Sequence, residues 1–322
     1  MERVIPIRRG IRTGAAIRFV ALGMLLYGLL FAASEWLVYR NGRMNPIFKI
    51  ETTAVEDFDW VILGASHAIP LAFDGFNSEM QDRTGKTILN LAGPGTGPLY
   101  NRFAFEHFLH EHRARNVLYV ADGFAFRSSM WNEERFADSK LLARTPFSMA
   151  LAASLGGHVV RDGVDPRALV DYLTGFSKIN NRDRFRRDTW EGEATFDRTF
   201  KPSATAAKKR VQYLYPAVAN EAAARDRYFE DFAELVGLAR QHGARVTIAK
   251  FPLPPRFKAM LENEAEFDAA LQSFAALLGA EFVDFSDALP HPDFYADPDH
   301  LNRAGASDFF ERRLMQLFMT EL

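Results

Sequence analysis

Apolar positions fall into two regimes along the chain. Residues 19–39 read FVALGMLLYGLLFAASEWLVY, apolar on every helical face, with Glu35 the one charge. If helical, such a stretch is long enough to cross a hydrocarbon core about 30 Å thick. From residue 60 the pattern changes to short apolar runs separated by longer amphipathic ones. Residues 60–63, 87–91, 117–120, 246–249 and 281–285 read as strands. Residues 99–112, 221–242 and 256–278 read as helices, and Asn302 is the expected N-cap of a last helix through residue 318. Gly243 is a natural stop for the helix before it. Strands separated by helices of this length imply parallel pairing with right-handed crossovers. The expected fold class is therefore α/β, an open parallel sheet with flanking helices, with chemistry at the C-terminal strand ends.

Between residues 127 and 216 the alternation breaks. Two helices are expected there, at 147–160 and 166–179, followed by the polar run NNRDRFRRDTWEGEATFDRTFKPS. We read this run as a solvated loop in which Asp183 and Asp188 balance the arginines. The excursion leaves the sheet at its C-terminal edge, so the insertion is expected to wall the cleft or dock a membrane partner.

Charge sharpens the reading of the N-terminus. Arg3, Arg8, Arg9, Arg12 and Arg18 precede the apolar stretch against one acid, Glu2. The basic end should stay in the cytoplasm, which exports the rest. Glu35 lies near the far end, where it could reach the interface, and Trp36 and Tyr39 suit an interfacial belt. A cleaved signal ending near Ala32-Ala33-Ser34 is an alternative with the same consequence, and a buried core helix is a third reading. The expected organisation is a basic tail at 1–18, an anchor at 19–39, a linker at 40–57 and a catalytic domain at 58–322. That places the chain in a bacterial inner membrane as a single-pass protein with an extracytoplasmic domain. A net charge of −2 gives no field that points to nucleic acid. With no cysteine among 322 residues, disulfides, thiolate metal sites and a cysteine nucleophile are excluded.

Three segments carry candidate chemistry. Gly64-Ala65-Ser66-His67 follows the first strand, where a serine at a strand-to-helix turn is presented with its own N–H free. Asp297-Pro298-Asp299-His300 precedes the final helix, and the spacing of Asp297 and His300 lets the carboxylate reach Nδ1 and leave Nε2 for a serine. Asp299 competes for that role. Asn90-Leu91-Ala92-Gly93-Pro94-Gly95 follows the second strand, where glycines let backbone approach a ligand. Each segment also has a bland reading as a turn or cap. His107, His110 and His112 share one predicted helix, but beyond Glu106 and Glu111 no acid at a suitable spacing completes a metal site, so no metal is expected. Trp131, Trp190 and Tyr295 could face a glycan.

Taken together, the three segments resemble the SGNH (GDSL-like) hydrolase superfamily, over roughly residues 58–125 and 220–320. The resemblance implies an SGNH/flavodoxin-like three-layer sandwich, Ser66 as nucleophile, His300 as base and Asp297 as its orienting acid. It implies oxyanion donors at Ser66 and Gly95, with Gly93 next. His67, Asn90 and Asp122 are candidate substrate contacts. The family's asparagine after the third strand is missing from Tyr119-Val120-Ala121-Asp122-Gly123. That departure makes the chain look more like membrane-anchored relatives of cell-envelope acyl transfer, some of which work beside a multipass O-acyltransferase. The expected activity is that of an esterase or O-acyltransferase on an envelope or secreted glycan, without a cofactor. The rival is a non-catalytic assembly or polymer-binding protein on the same fold.

Overall fold

A computed structural model describes residues 13–138 and 140–320. Arg3, Arg8, Arg9 and Arg12 of the expected basic tail lie outside them. Helix α1, Thr13–Asn41, is long and apolar enough to span a membrane. Its N-terminal part stands clear of the protein, with Leu22, Met24 and Leu25 exposed.

The segment expected as a linker is built into the core. Asn45 caps helix α2, Pro46–Thr52, accepting the Phe48 N–H at 3.0 Å, and Pro46, Ile47, Phe48 and Ile50 are buried. His112 bonds the carbonyls of Val55 and Ile50, and His107 bonds Glu51 at 2.6 Å. Two of the three clustered histidines thus hold α2 against the domain.

The sheet has five parallel strands in the order β2-β1-β3-β4-β5. They are β1 Asp57–Gly64, β2 Ile88–Asn90, β3 Arg113–Val120, β4 Arg245–Lys250 and β5 Glu281–Asp284. Val61 pairs with Leu89 on one side and Val117 on the other, and Val117 pairs with Val246. Val61, Ile62 and Leu63 are fully buried, as strands covered on both faces require. The cover comes from α3 (Phe76–Thr84), α4 (Pro98–Phe108) and the helices that follow. The chain moves outward from β1 to β2 and then returns to β3 on the other side of β1. This reversal is the switch point at which open α/β sheets leave a crevice.

Among the described residues four α-helices lie within the insertion: α5 Met149–Arg161, α6 Pro166–Thr174, α7 Phe176–Asn180 and α8 Ala204–Leu214. The helix expected at 166–179 breaks at Gly175, which is left-handed at φ 68°. The polar run is less solvated than its composition suggests. The buried Asp188 carboxylate accepts the N–H groups of Met44 and Asn45 and pairs with Arg144. The insertion also holds α1: Glu35 pairs with the buried Lys178 and accepts the Phe147 N–H, so its charge is met inside the protein.

After α9, Glu221–Gln241, Gly243 terminates the helix at φ 80°. The helix expected at 256–278 is two pieces, α10 Pro255–Lys258 and α11 Glu264–Leu278. Asn263 between them is left-handed, a conformation asparagine tolerates. Asn302 caps α12, Arg303–Phe309, through the Gly305 N–H at 2.9 Å. The helix then passes through a π-turn, Phe310–Leu314, into α13, Met315–Met319. The face with α4 packed on α9 and the face with α3 packed on α13 complete the α/β sandwich.

Candidate active site

The turn after β1 is fixed by the strands beside it. Gly64 sits at φ 133°, where a Cβ would lie 2.5 Å from the Val120 carbonyl oxygen of β3, so the chain can leave the sheet here only as glycine. The Gly64 carbonyl accepts the Thr96 hydroxyl at 2.9 Å, and the Gly64 N–H donates to Asn101 Oδ1 at 3.0 Å. Asn101 in turn donates to the carbonyls of Thr96 and Gly97. These bonds tie the turn after β1 to the turn after β2. Ser66 and Gly95 therefore share a cleft of about 280 Å³ with Arg210, Asp297 and His300.

Two residues that line this cleft have backbone donors to spare. Among the described residues no acceptor takes the N–H of Ser66 or Gly95, and no group bonds the Ser66 hydroxyl. Gly95 is left-handed at φ 62° with Trp131 packed where a Cβ would be, 2.6 Å away. Gly93 departs from the expected oxyanion role: its N–H donates to the Gly64 carbonyl at 3.2 Å and is not free for an oxyanion. Asn90 departs from its expected substrate contact as well: its side chain donates to the Ala68 carbonyl at 2.8 Å and accepts the Ala92 N–H, holding the turn.

Opposite Ser66, Asp297 Oδ2 lies 2.8 Å from His300 Nδ1, and Asp297 Oδ1 accepts the N–H groups of Asp299 and His300. Burial would raise the Asp297 pKa, but the neighbouring His300 overrides it and lowers it. A proton on Nδ1 leaves Nε2 as an acceptor. In this structure Nε2 faces the Arg210 guanidinium at 3.4 Å and makes no bond to Ser66.

Behind these residues lies a cluster that sequence reasoning missed. His67 Nδ1 is 2.5 Å from Asp122 Oδ1, and His67 Nε2 is 3.1 Å from Asp299 Oδ2. The Arg210 Nε contacts both Asp299 oxygens at 2.9 Å. Both ring nitrogens of His67 thus face carboxylates, which favours the doubly protonated ring. Burial opposes that charge, but Asp122 and Asp299 override it and raise the His67 pKa to about 10. Burial likewise opposes the Asp299 charge, yet His300, His67 and Arg210 hold its carboxyl well below the usual range. His67 and Asp122, expected at the substrate, are instead 5% and 6% exposed and pair with each other.

His67, Asp299 and His300 also bring three metal-type donor atoms within 4.8 Å of one another. A cation there would compete with Arg210, which already neutralises Asp299 at 2.9 Å. Trp131 and Trp190 line the cleft but are 1% and 6% exposed. Tyr295 lies elsewhere, beside an apolar cavity of about 540 Å³ on the other side of Asp297. The second carboxylate in D-x-D-H was the one signal for Asp299. Arg210 had none, because Lys208, Lys209 and Arg210 look alike in sequence.

No protein-family model matches the chain, and no curated protein matches it. Among solved structures it is similar to a Bacteroides fragilis protein described as a candidate acylhydrolase. The two are 12% identical, the match covers 86% of this chain and 96% of that one, and the TM-score is 0.45.

Proposed function

We propose that this chain is an exported, membrane-anchored serine esterase or O-acyltransferase of the SGNH kind, acting on a cell-envelope or secreted glycan. The observation that carries this reading is the meeting of Ser66, Gly95 and the Asp297–His300 pair on one cleft, from three segments far apart in sequence. Ser66 attacks an acyl carbonyl, and His300 Nε2 takes the serine proton. Asp297 stabilises the imidazolium that forms, and the N–H groups of Ser66 and Gly95 hold the oxyanion. The bond from the acyl carbon to the donor's oxygen then breaks, and that oxygen leaves with the proton from His300. Water or a sugar hydroxyl attacks the acyl-serine and gives its proton to His300, which passes it to the serine oxygen as the acid or the acylated sugar leaves. For this cycle Arg210 Nη2 has to yield its place at Nε2, while its Nε contact to Asp299 can persist. The anchor is α1, with the domain outside the cytoplasm and a multipass O-acyltransferase as a candidate partner. A fluorophosphonate probe tests the chemistry. Labelling of the wild-type chain that is lost in Ser66→Ala supports it, and labelling unchanged in Ser66→Ala overturns it.

A second reading has one observation in its favour. His300 Nε2 is engaged by Arg210 rather than by Ser66. A polymer-binding or assembly protein on the same fold would keep that contact closed. It would bind acylated glycan without turnover, and a fluorophosphonate would leave Ser66 unlabelled.

A further inference from the structure

Helix α1 and the insertion form one body, and this limits how far the domain can stand clear of a bilayer. Tyr27 donates its hydroxyl proton to the Thr174 carbonyl at 3.1 Å. One turn further on, Phe31 lies against Gly175 and meets Phe147 at 5.7 Å between ring centres. Another turn on, Glu35 pairs with Lys178, and Asn41 donates to the Arg184 carbonyl. Contact with the insertion is therefore continuous from Tyr27 to the end of the helix.

The apolar part of the helix before Tyr27 is too short to cross a membrane. Counted from residue 19, just after Arg18, it is about 12 Å long, at 1.5 Å per residue. The hydrocarbon core is about 30 Å thick. About 18 Å must be crossed by the part of α1 that carries the insertion with it. The part carried at that level is the corner between α6 and α7. Its exposed side chains include Val170, Leu173 and Phe176, which are 59%, 44% and 60% accessible. Its one acid, Asp171, accepts the Ser177 N–H at 2.9 Å. An apolar groove of about 610 Å³ runs between this corner and α1, lined by Met24, Tyr27, Phe31, Phe147 and Leu173.

We infer that the α6–α7 corner is a wedge that enters the acyl layer of the leaflet facing the domain, with lipid chains in the groove beside α1. The inference rests on the reading of α1 as a membrane anchor. The domain is then held at a fixed height and tilt rather than tethered. Trp36 and Tyr39, 57% and 53% exposed, come level with the headgroups.

The chain has no cysteine, so single-cysteine variants of the full chain take a fluorophore at one place each. Leu173→Cys and Phe176→Cys report on the wedge and Met24→Cys on the anchor. Leu277→Cys, on α11 and 83% exposed, is the aqueous control. Each variant carries an environment-sensitive nitrobenzoxadiazole label in phosphatidylcholine–phosphatidylglycerol vesicles, with or without bromine on the acyl chains. The labels at 173 and 176 should shift to the blue and lose as much intensity to bromine as the label at 24, while the label at 277 does neither. If 24 is quenched and 173 and 176 stay in water, the wedge fails and the anchor stands. If 24 also stays in water, the anchor reading fails and the wedge with it. Labels at 173 and 176 that are shielded from water yet untouched by bromine would show a protein covering the corner, which overturns the lipid assignment.

Discussion

The buried and the open sides of the candidate site hold one histidine each, with ring centres 5.2 Å apart. His67 has a carboxylate on both nitrogens, and burial leaves it no water with which to exchange partners. His300 has a carboxylate on Nδ1 only, and its Nε2 opens on the cleft and on one arginine. The difference separates two jobs that the same side chain can do. A ring clamped as an imidazolium is a fixed positive charge and cannot act as a base near neutral pH. A ring with one nitrogen oriented and the other free can take a proton and return it. Of the two, only His300 has the form of a general base, although His67 is the residue next to Ser66 in sequence.

The largest effect should come from the open side. Ser66→Ala removes the proposed nucleophile and should lower ester cleavage by about 10⁴-fold or more. Because Ser66 is half-buried without a hydrogen-bond partner among the described residues, stability should change by no more than about 0.5 kcal/mol. Rates from purified protein on a small aryl ester, read beside a thermal melt, check both parts.

The buried side should respond in the opposite sense, through folding. His67→Gln leaves Asp122 and Asp299 buried with one cation fewer and should cost about 3–5 kcal/mol of stability. The double variant His67→Gln/Asp122→Asn should recover part of that loss, because the uncompensated charge is gone. Denaturant titration of the three chains gives the coupling. The pH dependence follows from the raised pKa of His67, about 10 when folded. Its unfolded value is about 6.5. The folded state holds the proton that the unfolded state gives up, so the contribution is complete below about pH 6.5. It falls by about 1.4 kcal/mol per pH unit at most and is lost as pH rises through 10. Stability of the wild type should therefore decline between pH 7 and 10, with a shallower slope in His67→Gln. Equal slopes would sink the assignment of an imidazolium to His67.

Arg210 joins the two sides, and its effect should be smaller. Arg210→Lys keeps a cation but loses the planar contact to both Asp299 oxygens. Ester cleavage should fall by about 10-fold, of the order of a displaced supporting contact around a catalytic group. If Arg210 instead closes His300 off in a non-catalytic protein, the variant should gain fluorophosphonate labelling relative to wild type. The two readings thus predict changes of opposite sign in one variant.

How much of this was legible before the structure depends on what held each residue in place. The five strands and the three turns at their ends were readable, because alternation with helices and glycine placement are local signals. The Asp297–His300 contact was readable for the same reason, since three residues separate the pair in one turn. The His67–Asp122 and His67–Asp299 pairs were not. They join the turns after β1 and β3 with the loop before α12, and no spacing encodes them. Helix α8 leaves little trace in the sequence because AKKRVQYL carries only a weak apolar face, and Arg210 is hidden with it. Residues 40–57 look like a linker because polar ends hide the four buried residues of α2. Asp188 looks solvated because its partners, Arg144 and the N–H groups of Met44 and Asn45, lie far from it in sequence.

The smallest expected effect lies at the rim, where the insertion meets the cleft, and there a point variant separates acceptor from acyl chemistry. Deleting the segment 180–203 would unsettle the fold, since Phe196 is 1% exposed within it and Asp188 holds the start of α2. Trp190 offers a milder cut. It lines the cleft, is 6% exposed, and its Nε1 is buried with no partner among the described residues. A buried unpaired donor costs free energy until something accepts its proton. A sugar hydroxyl or ring oxygen of an acceptor would do so once its binding opens the packing around Nε1. Trp190→Phe keeps an aromatic ring and removes the donor. Stability should hold or rise slightly, since the unpaired group is gone, although the smaller ring gives back some packing. KM for a glycan acceptor should rise a few-fold, the size of one neutral hydrogen bond of about 1 kcal/mol, with KM for the aryl ester unchanged. A fall in melting temperature with equal changes on both substrates would assign Trp190 to packing alone.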